Sequence, residues 1–278
     1  MKKRIITSVI GVIVILPCFI FMHSPLFALL FSAAGAIAVH EIIKATGGKN
    51  KILTAISCLT AAAIPLLMHY NIEIPVMPVI IIYILAYLMI MVLMYKKTPF
   101  NHVVTALFAT IAIPCSFSMG ILLRDIYIRY PYTYTKATGV FFIFLAVFSA
   151  WMTDTFAYFV GRKFGKHKLC PKISPKKTVE GALGGSVGEV ILNTALFFVF
   201  DKFFFTVHTI EWWQIVIISV ILSVVSMFGD LSASVIKRNH GVKDFGKLLP
   251  GHGGIMDRAD SLLFVLPTLF AAVYLINI

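Results

Sequence analysis

The sequence is poor in cysteine and lacks the short motifs of several enzyme classes. Its four cysteines, Cys18, Cys58, Cys115 and Cys170, include no CxxC pair. We therefore predict neither a disulfide framework nor a cysteine-based metal site. No HExxH motif and no GxxxxGK[ST] motif occurs, which excludes a zinc protease of that type and a P-loop nucleotide site.

Charge is also scarce: only 13% of the residues are charged, whereas 59% are hydrophobic and the mean hydropathy is +0.93. Apolar runs approach the roughly 20 residues that a helix needs to cross a bilayer. This composition predicts an all-α integral membrane protein, a polytopic helical bundle of about nine transmembrane helices. The N-terminal apolar run is longer than that of a usual signal peptide, so we interpret it as a retained first helix. The predicted spans are 4–22, 25–44, 52–69, 74–95, 102–123, 138–161, 184–205, 213–236 and 261–277.

The basic residues predict the orientation of these spans. With nine spans and a cytosolic N-terminus, all but four of the 24 Lys and Arg residues fall in cytosolic segments, as the positive-inside rule requires. The N-terminus carries no transit-like extension, which favours a multi-pass protein of a bacterial inner (plasma) membrane. The four exceptions are Arg124, Arg129, Lys136 and Lys202.

Two of the predicted cytosolic loops are longer and more polar than a connector requires. Loops 162–183 and 237–260 are both rich in Gly, Lys and His. We therefore divide the chain into N-terminal transmembrane helices at 1–137, with about five spans, and a C-terminal catalytic transmembrane region at 138–278.

Five acidic residues lie inside or at the ends of predicted spans near the cytosolic side. A charged group at a helix centre costs about 2.5–3.5 kcal/mol on insertion scales, so each needs a reason. Asp154, Glu189, Asp230, Asp257 and Asp260 together predict a water-filled cavity open to the cytosol. For Glu189 the alternative is a buried hydrogen-bond partner, and for one of the last two it is ordinary helix capping.

Loop 237–260 combines cations with glycines whose backbone can approach an anion closely, a pattern that suits phosphate. With carboxylates nearby, it indicates a polyphosphate bridged by Mg²⁺ and transfer of a phosphoryl or nucleotidyl group. His240 and His252 are interpreted as phosphate or hydrogen-bond partners rather than zinc ligands. The residues of this pattern are Lys237, Arg238, Lys243, Lys247, Arg258, Gly241, Gly246, Gly251, Gly253 and Gly254.

A long pattern in this loop resembles the signature of the phosphatidate cytidylyltransferases, or CDP-diacylglycerol synthases. It consists of SVIKR at 234–238, Lys243-Asp244, and LPGHGGIMDRAD at 249–260. Two upstream stretches, DTFAYFVGRKFGK at 154–166 and SPKKTVEG at 174–181, are similar to the same family. The resemblance covers about residues 150–265. Ala259 departs from the family pattern, which has a larger residue there, but this should change only the packing.

The resemblance implies that CTP and phosphatidic acid react to give CDP-diacylglycerol and pyrophosphate, with Mg²⁺ as the cofactor and a second metal or a monovalent cation left open. It implies Asp230, Asp257 and Asp260 as metal ligands, with Asp154 as a further candidate. The implied catalytic residues are Asp230, Lys237, Arg238, His252, Asp257, Arg258 and Asp260. The implied substrate-binding residues are Ser234, Lys243, Gly253, Gly254, Lys176, Lys177 and Glu180.

Other functions remain open at this point. A CTP-dependent polyprenol kinase or a cytidylyltransferase for an ether-lipid phosphate would differ in the acceptor. An ion-coupled transporter would also carry intramembrane acids, but near mid-bilayer. A pure scaffold would leave the costly acids unexplained. The predicted partners are CTP, phosphatidic acid and the bilayer, without nucleic acid, and a homodimer is an open alternative.

Overall fold

The computed structural model describes residue 11 and residues 13–276, and it consists of helices joined by loops and one short β-hairpin. Residues 13–20 are helical and precede the elements labelled below. The elements are α1 (Pro25–Ala45), α2 (Lys51–His69), α3 (Val76–Leu93), α4 (Phe100–Arg124), α5 (Ile126–Arg129), α6 (Lys136–Phe164), β1 (Lys168–Cys170), β2 (Ser174–Thr178), α7 (Val179–Phe203), α8 (Trp212–Asn239), α9 (Met256–Ala259) and α10 (Leu262–Ile276).

Eight segments of the described residues are helical, long and apolar enough to cross a membrane. They are α1, α2, α3, α4, α6, α7, α8 and the run Met256–Leu275, and they coincide with the last eight predicted spans. The predicted class, a polytopic helical membrane protein, is therefore confirmed. Residues 4–10 and 12 of the first predicted span, 4–22, lie outside the described residues.

Polar side chains cap the starts of several helices. The carboxamide oxygen of Asn50 accepts hydrogen bonds from the backbone N–H groups of Ile52 and Leu53 at the start of α2. The hydroxyl of Thr178 accepts one from Gly181 at 3.1 Å at the start of α7. The first N–H groups of a helix have no partner within the helix, so such caps satisfy donors that would otherwise need water.

The chain divides into two compact units. The first contains α1 to α4, as far as Ile121, together with Asn239–Arg258; the second contains Leu122–Arg238 and the chain from Ala259 onward. Most of loop 237–260 thus packs with the N-terminal helices, although the sequence analysis grouped it with region 138–278. The assignment of catalysis to region 138–278 stays a prediction.

Glycines let α6 and α7 approach each other closely in the second unit. A Cβ atom at Gly181 would lie 2.7 Å from the carbonyl oxygen of Ala157, and one at Gly185 would lie 2.7 Å from that of Thr153. Small residues permit such close backbone packing in membrane helices. The antiparallel pair β1–β2 lies in the connection between these helices; the sequence analysis did not predict this hairpin.

Candidate functional site

A lysine flanked by two carboxylates lies at the centre of the second unit's polar site. The Lys177 ammonium, at the end of β2, is 2.6 Å from a carboxylate oxygen of Asp230 on α8. It is 3.3 Å from a carboxylate oxygen of Asp154 on α6. The hairpin therefore positions the Lys177 ammonium between two carboxylates, Asp154 and Asp230, that belong to different membrane helices. We refer to Asp154, Lys177 and Asp230 as the lysine cluster.

The charge of Lys177 is stabilised by this arrangement. Burial by itself would lower the pKa of the ammonium, but the nearby carboxylates of Asp154 and Asp230 outweigh burial and raise the pKa above its ordinary value. Lys177 is therefore a permanent cation at neutral pH. The side chain is 21% exposed, and that of Asp154 is 42% exposed, so the cluster is open to solvent.

A pocket of about 320 Å³ opens beside the lysine cluster. It brings together the two upstream stretches that resemble the cytidylyltransferase signature, because α6 supplies one wall and the hairpin with the start of α7 supplies another. Its volume lies within the range of small-molecule sites. The lining residues are Asp154, Ala157, Tyr158, Gly161, Arg162, Leu169, Ser174, Lys176, Lys177, Thr178, Gly181, Ala182 and Met227.

Three more predicted site residues of the second unit are largely buried. Ser234 is 8% exposed, Lys237 is 9% exposed and Asp260 is 7% exposed. Asp260 interacts electrostatically with Asp230, Lys237 and Asp154. Its carboxylate accepts a hydrogen bond from the backbone N–H of Ser261 at 2.8 Å. The structure thus groups Asp260 with the charges of the lysine cluster.

The remaining predicted residues of the second unit are at its surface. Lys176 and Arg238 are exposed, and the Arg238 guanidinium donates to the Ile173 carbonyl at 3.4 Å. Glu180 accepts the backbone N–H groups of Lys166 and His167 at 3.0 and 3.2 Å. These contacts fix the chain that leads into the hairpin. The substrate-binding role of Glu180 stays a prediction.

The glycine-rich loop of the first unit is held by one aspartate. A carboxylate oxygen of Asp257 accepts the backbone N–H groups of Phe245 and Gly254, both at 2.9 Å. Gly253 has a φ of +87°, which a residue with a side chain rarely adopts. The capping alternative therefore describes the observed contacts of Asp257. Its predicted role as a metal ligand stays a prediction.

His252 and Arg258 also shape this loop. The Arg258 guanidinium donates to the His252 carbonyl at 3.0 Å, and the His252 N–H donates to the Leu249 carbonyl at 2.8 Å. The Nδ1 atom of His252 is buried without a hydrogen-bond partner among the described residues. Lys243 is exposed. The catalytic role of His252 stays a prediction.

One carboxylate that the sequence analysis overlooked anchors the same loop. Glu41, on α1, is 5% exposed and accepts the backbone N–H of Met256 at 2.9 Å. A Cβ atom at Gly246 would lie 2.0 Å from one oxygen of Glu41, and one at Gly254 would lie 2.2 Å from the other. The signal was available, because Glu41 is an acid inside a predicted span, which is the criterion that identified Asp154 and Asp230.

Glu189 does not belong with the acids of the predicted cavity. Its carboxylate accepts hydrogen bonds from Ser149 and Asn193, each at 2.5 Å. Asn193 also donates to Ser219 at 3.1 Å, and all four side chains are fully buried. The prediction of one cavity shared by five acids is therefore wrong for Glu189, and the alternative of a buried hydrogen-bond partner is confirmed. The physical reason is that helix depth does not determine which way a side chain faces.

The donor set in the second unit suits a metal that is shared with a substrate. Within residues 13–276, no three His, Cys, Asp or Glu side chains form a ready set of metal ligands. Mg²⁺ often needs only one or two protein carboxylates, because water and substrate phosphates supply its other ligands. Asp154 and Asp230, which both face the Lys177 ammonium, are two carboxylates of the type that Mg²⁺ uses.

The comparisons with known proteins agree on one family. Residues 2–276 match the model of the cytidylyltransferase family. A phosphatidate cytidylyltransferase of Bacillus subtilis (strain 168) is 36% identical over 275 residues, which are 97% of this chain and 96% of the relative. One of Staphylococcus aureus (strain COL) is 34% identical over 273 residues, which are 97% of each chain. One of Staphylococcus haemolyticus (strain JCSC1435) is 45% identical over 143 residues, and this match covers only 51% of this chain and 53% of the relative.

Proposed function

Because this chain belongs to the cytidylyltransferase family, we propose that it is a phosphatidate cytidylyltransferase, which converts CTP and phosphatidic acid into CDP-diacylglycerol and pyrophosphate. The lysine cluster in its pocket is the observation that carries the proposal. It places a permanent cation and carboxylates at one point of the second unit, as a reaction between two phosphate groups requires.

The chemistry needs charge control rather than a protein nucleophile. An oxygen of the phosphatidic acid phosphate attacks the α-phosphorus of CTP and forms a new P–O bond. The bond between the α-phosphorus and the oxygen that bridges it to the β-phosphorus breaks. Pyrophosphate leaves with the electrons of that bond. The attacking phosphate is already anionic, so no strong base is required. Lys177 would neutralise phosphate oxygens, together with Lys176 and Arg162 of the same pocket.

The proposed cofactor is Mg²⁺. Asp230 and Asp154 would hold it, with Asp260 next to them. Asp257 stays a metal ligand that only the family resemblance implies. When bound, the ion would polarise phosphate oxygens and stabilise the charge of the leaving pyrophosphate. Lys237 and Arg238, which follow Asp230 on α8, would contribute further positive charge to the triphosphate or to the lipid phosphate.

We place the reaction at the cytosolic face of the bacterial plasma membrane, with the N-terminus on the same side. CTP is soluble, whereas the acyl chains of phosphatidic acid remain in the leaflet, so the two phosphates can meet only near the headgroup plane. The distribution of Lys and Arg supports this orientation. Cysteine labelling of single-cysteine variants at 166 and 202 from either side of sealed vesicles would test it.

The direct test is incorporation of labelled CTP into lipid. Purified protein in detergent is incubated with phosphatidic acid, Mg²⁺ and CTP that carries its label in the cytosine ring, and the organic phase is counted. We expect labelled CDP-lipid, and we expect EDTA to abolish it. If only CTP labelled at the γ-phosphate gives a labelled lipid, the protein is a kinase. If neither label enters any phosphorylated acceptor, the proposed function is wrong.

A further inference from the structure

A second polar cavity lies within the first unit, and its α1 wall has been assigned no substrate-binding role above. It has a volume of about 870 Å³, and it lies between the C-terminal part of α1 and residues 242–248. The α1 wall consists of residues 36, 37, 40, 41, 44 and 45, which recur on one helix face because a helix has 3.6 residues per turn. We refer to this cavity as the α1 groove.

The α1 groove combines three lysines and a histidine with apolar surface. His40 and Lys44, four residues apart on α1, line it from one side, and Lys243 and Lys247 line it from the loop. All four side chains are exposed. His40 and Lys44 also line a neighbouring pocket of the same unit, together with Lys49 and Lys51. Two acids also line the α1 groove, Asp244 and the buried Glu41, and Glu41 is already engaged by the Met256 N–H. The solvent-facing charge of the groove is therefore predominantly positive.

The apolar lining of the α1 groove includes Ala36, Ile37 and Leu248. Ala36 and Ile37 lie about two turns before Lys44 on α1. Lysines beside apolar side chains suit a ligand with an anionic group and a less polar body. This chemistry is shared by a nucleotide and by a lipid headgroup with its acyl chains.

The loop wall of the α1 groove is held in one conformation. Asp257 binds the backbone N–H of Phe245, which lines the groove, and Glu41 fills the space that side chains at Gly246 and Gly254 would need. These contacts fix the backbone that carries Lys243 and Lys247. Less loop entropy is therefore lost when an anion binds.

We propose that the α1 groove is a binding site for a phosphate group, with His40 and Lys44 as ligands that complement Lys243 and Lys247. The phosphate is either part of the CTP triphosphate or the headgroup of an anionic lipid. The inference rests on the proposed function only for the identity of these two ligands. The alternative is that Lys44 only helps to set the orientation of the protein in the membrane. The following experiment distinguishes this role from ligand binding.

The test measures binding without turnover. The full chain in detergent is titrated with inorganic pyrophosphate, with CTP and with dihexanoyl phosphatidic acid, and the rise of the thermal unfolding midpoint gives an apparent dissociation constant for each. Lys44→Gln is compared with Lys97→Gln, which removes an exposed lysine of the same unit outside the groove. We expect Lys44→Gln to weaken binding about tenfold, since hydrogen bonds to charged groups contribute that much, and Lys97→Gln to have no effect.

The pattern over the three ligands identifies the source of the phosphate. Weaker binding of pyrophosphate and CTP alone supports a triphosphate site, and weaker binding of phosphatidic acid alone supports a lipid site. Lys44→Arg keeps the charge and should restore binding, and His40→Gln should add to the loss. If Lys44→Gln binds all three ligands like the unmodified protein, or if Lys44→Arg is as weak as Lys44→Gln, the proposal is wrong.

The outcome is independent of the reaction test. If the unmodified protein makes CDP-lipid and the Lys44→Gln variant binds all three ligands normally, the proposed phosphate site in the α1 groove is wrong. The proposed function then stands. If the unmodified protein makes no CDP-lipid, the proposed function is wrong. The comparison of pyrophosphate binding would still test whether the α1 groove binds phosphate.

Discussion

The acids of the two units have different partners. In the first unit, Glu41 and Asp257 accept hydrogen bonds from backbone N–H groups of loop 242–257. In the second unit, Asp154 and Asp230 face the ammonium of Lys177. The first pair therefore determines the shape of a loop, whereas the second pair determines the charge of a pocket.

This difference makes the two pairs respond differently to the same chemical change. Replacement of a carboxylate by an amide removes the charge but keeps an oxygen that can accept a hydrogen bond. A shape-determining acid should tolerate that change in part, whereas a charge-determining acid should not. Variants of both kinds can therefore confirm the distinction or break it.

The largest effect is expected for Asp230→Asn. The substitution leaves Lys177 with one carboxylate and removes the proposed principal metal ligand, so we expect the rate of CDP-lipid formation to fall by about a hundredfold or more. Asp201→Asn is the matched control, because Asp201 is an acid of the same unit whose partner is His208. Near-normal activity of Asp230→Asn would show that the lysine cluster is structural.

A smaller effect is expected for Asp257→Asn. The amide oxygen can still accept the N–H groups of Phe245 and Gly254, with weaker, uncharged hydrogen bonds, so we expect activity to fall by about tenfold. The measurement is the same incorporation assay, with Mg²⁺ varied. A loss as large as that of Asp230→Asn, together with a raised Mg²⁺ requirement, would instead establish Asp257 as a metal ligand and break the comparison.

Glu41 offers a test on stability. Glu41→Leu leaves the buried N–H of Met256 without an acceptor, which costs about 1–3 kcal/mol, so the thermal midpoint should fall. Glu41→Gln keeps an acceptor and should recover most of that stability. Glu73→Gln, at an exposed position of the same unit, is the control. If Glu41→Leu and Glu41→Gln lower the thermal midpoint equally, the charge of Glu41, rather than its hydrogen bond, stabilises the loop.

The smallest effect is expected from pH in the neutral range. The raised pKa of Lys177 means that its ionic contribution to stability is fully present below the ordinary lysine pKa of about 10.4 and is lost as the pH rises through the raised value. The thermal midpoint relative to Lys177→Met should therefore stay constant from about pH 7 to pH 9 and decline only above about pH 10.4. A decline that begins near pH 8 would mean that the carboxylates do not stabilise the ammonium.

The sequence-based predictions were strongest where they depended on hydrophobicity and on a long motif. The last eight predicted spans, the helical class and the family are confirmed. The lysine cluster was predicted in part, since Asp154, Lys177 and Asp230 were all named as site residues, but not as one group. Glu41 was not named, and Glu189 was wrongly placed with the acids of the cavity. These differences concern which face of a helix a side chain occupies.

Hydrophobic runs and the basic loops by themselves determined that this chain is a polytopic membrane protein, because bilayer thickness and the cost of burying charge act on each segment separately. The signature at 234–260 determined its family. Only the tertiary structure decided which acids have which partners, because that depends on the rotation of helices and on loop packing between residues as distant in sequence as Glu41 and Met256. Sequence spacing carries no information about such contacts, since they arise from the packing of whole helices.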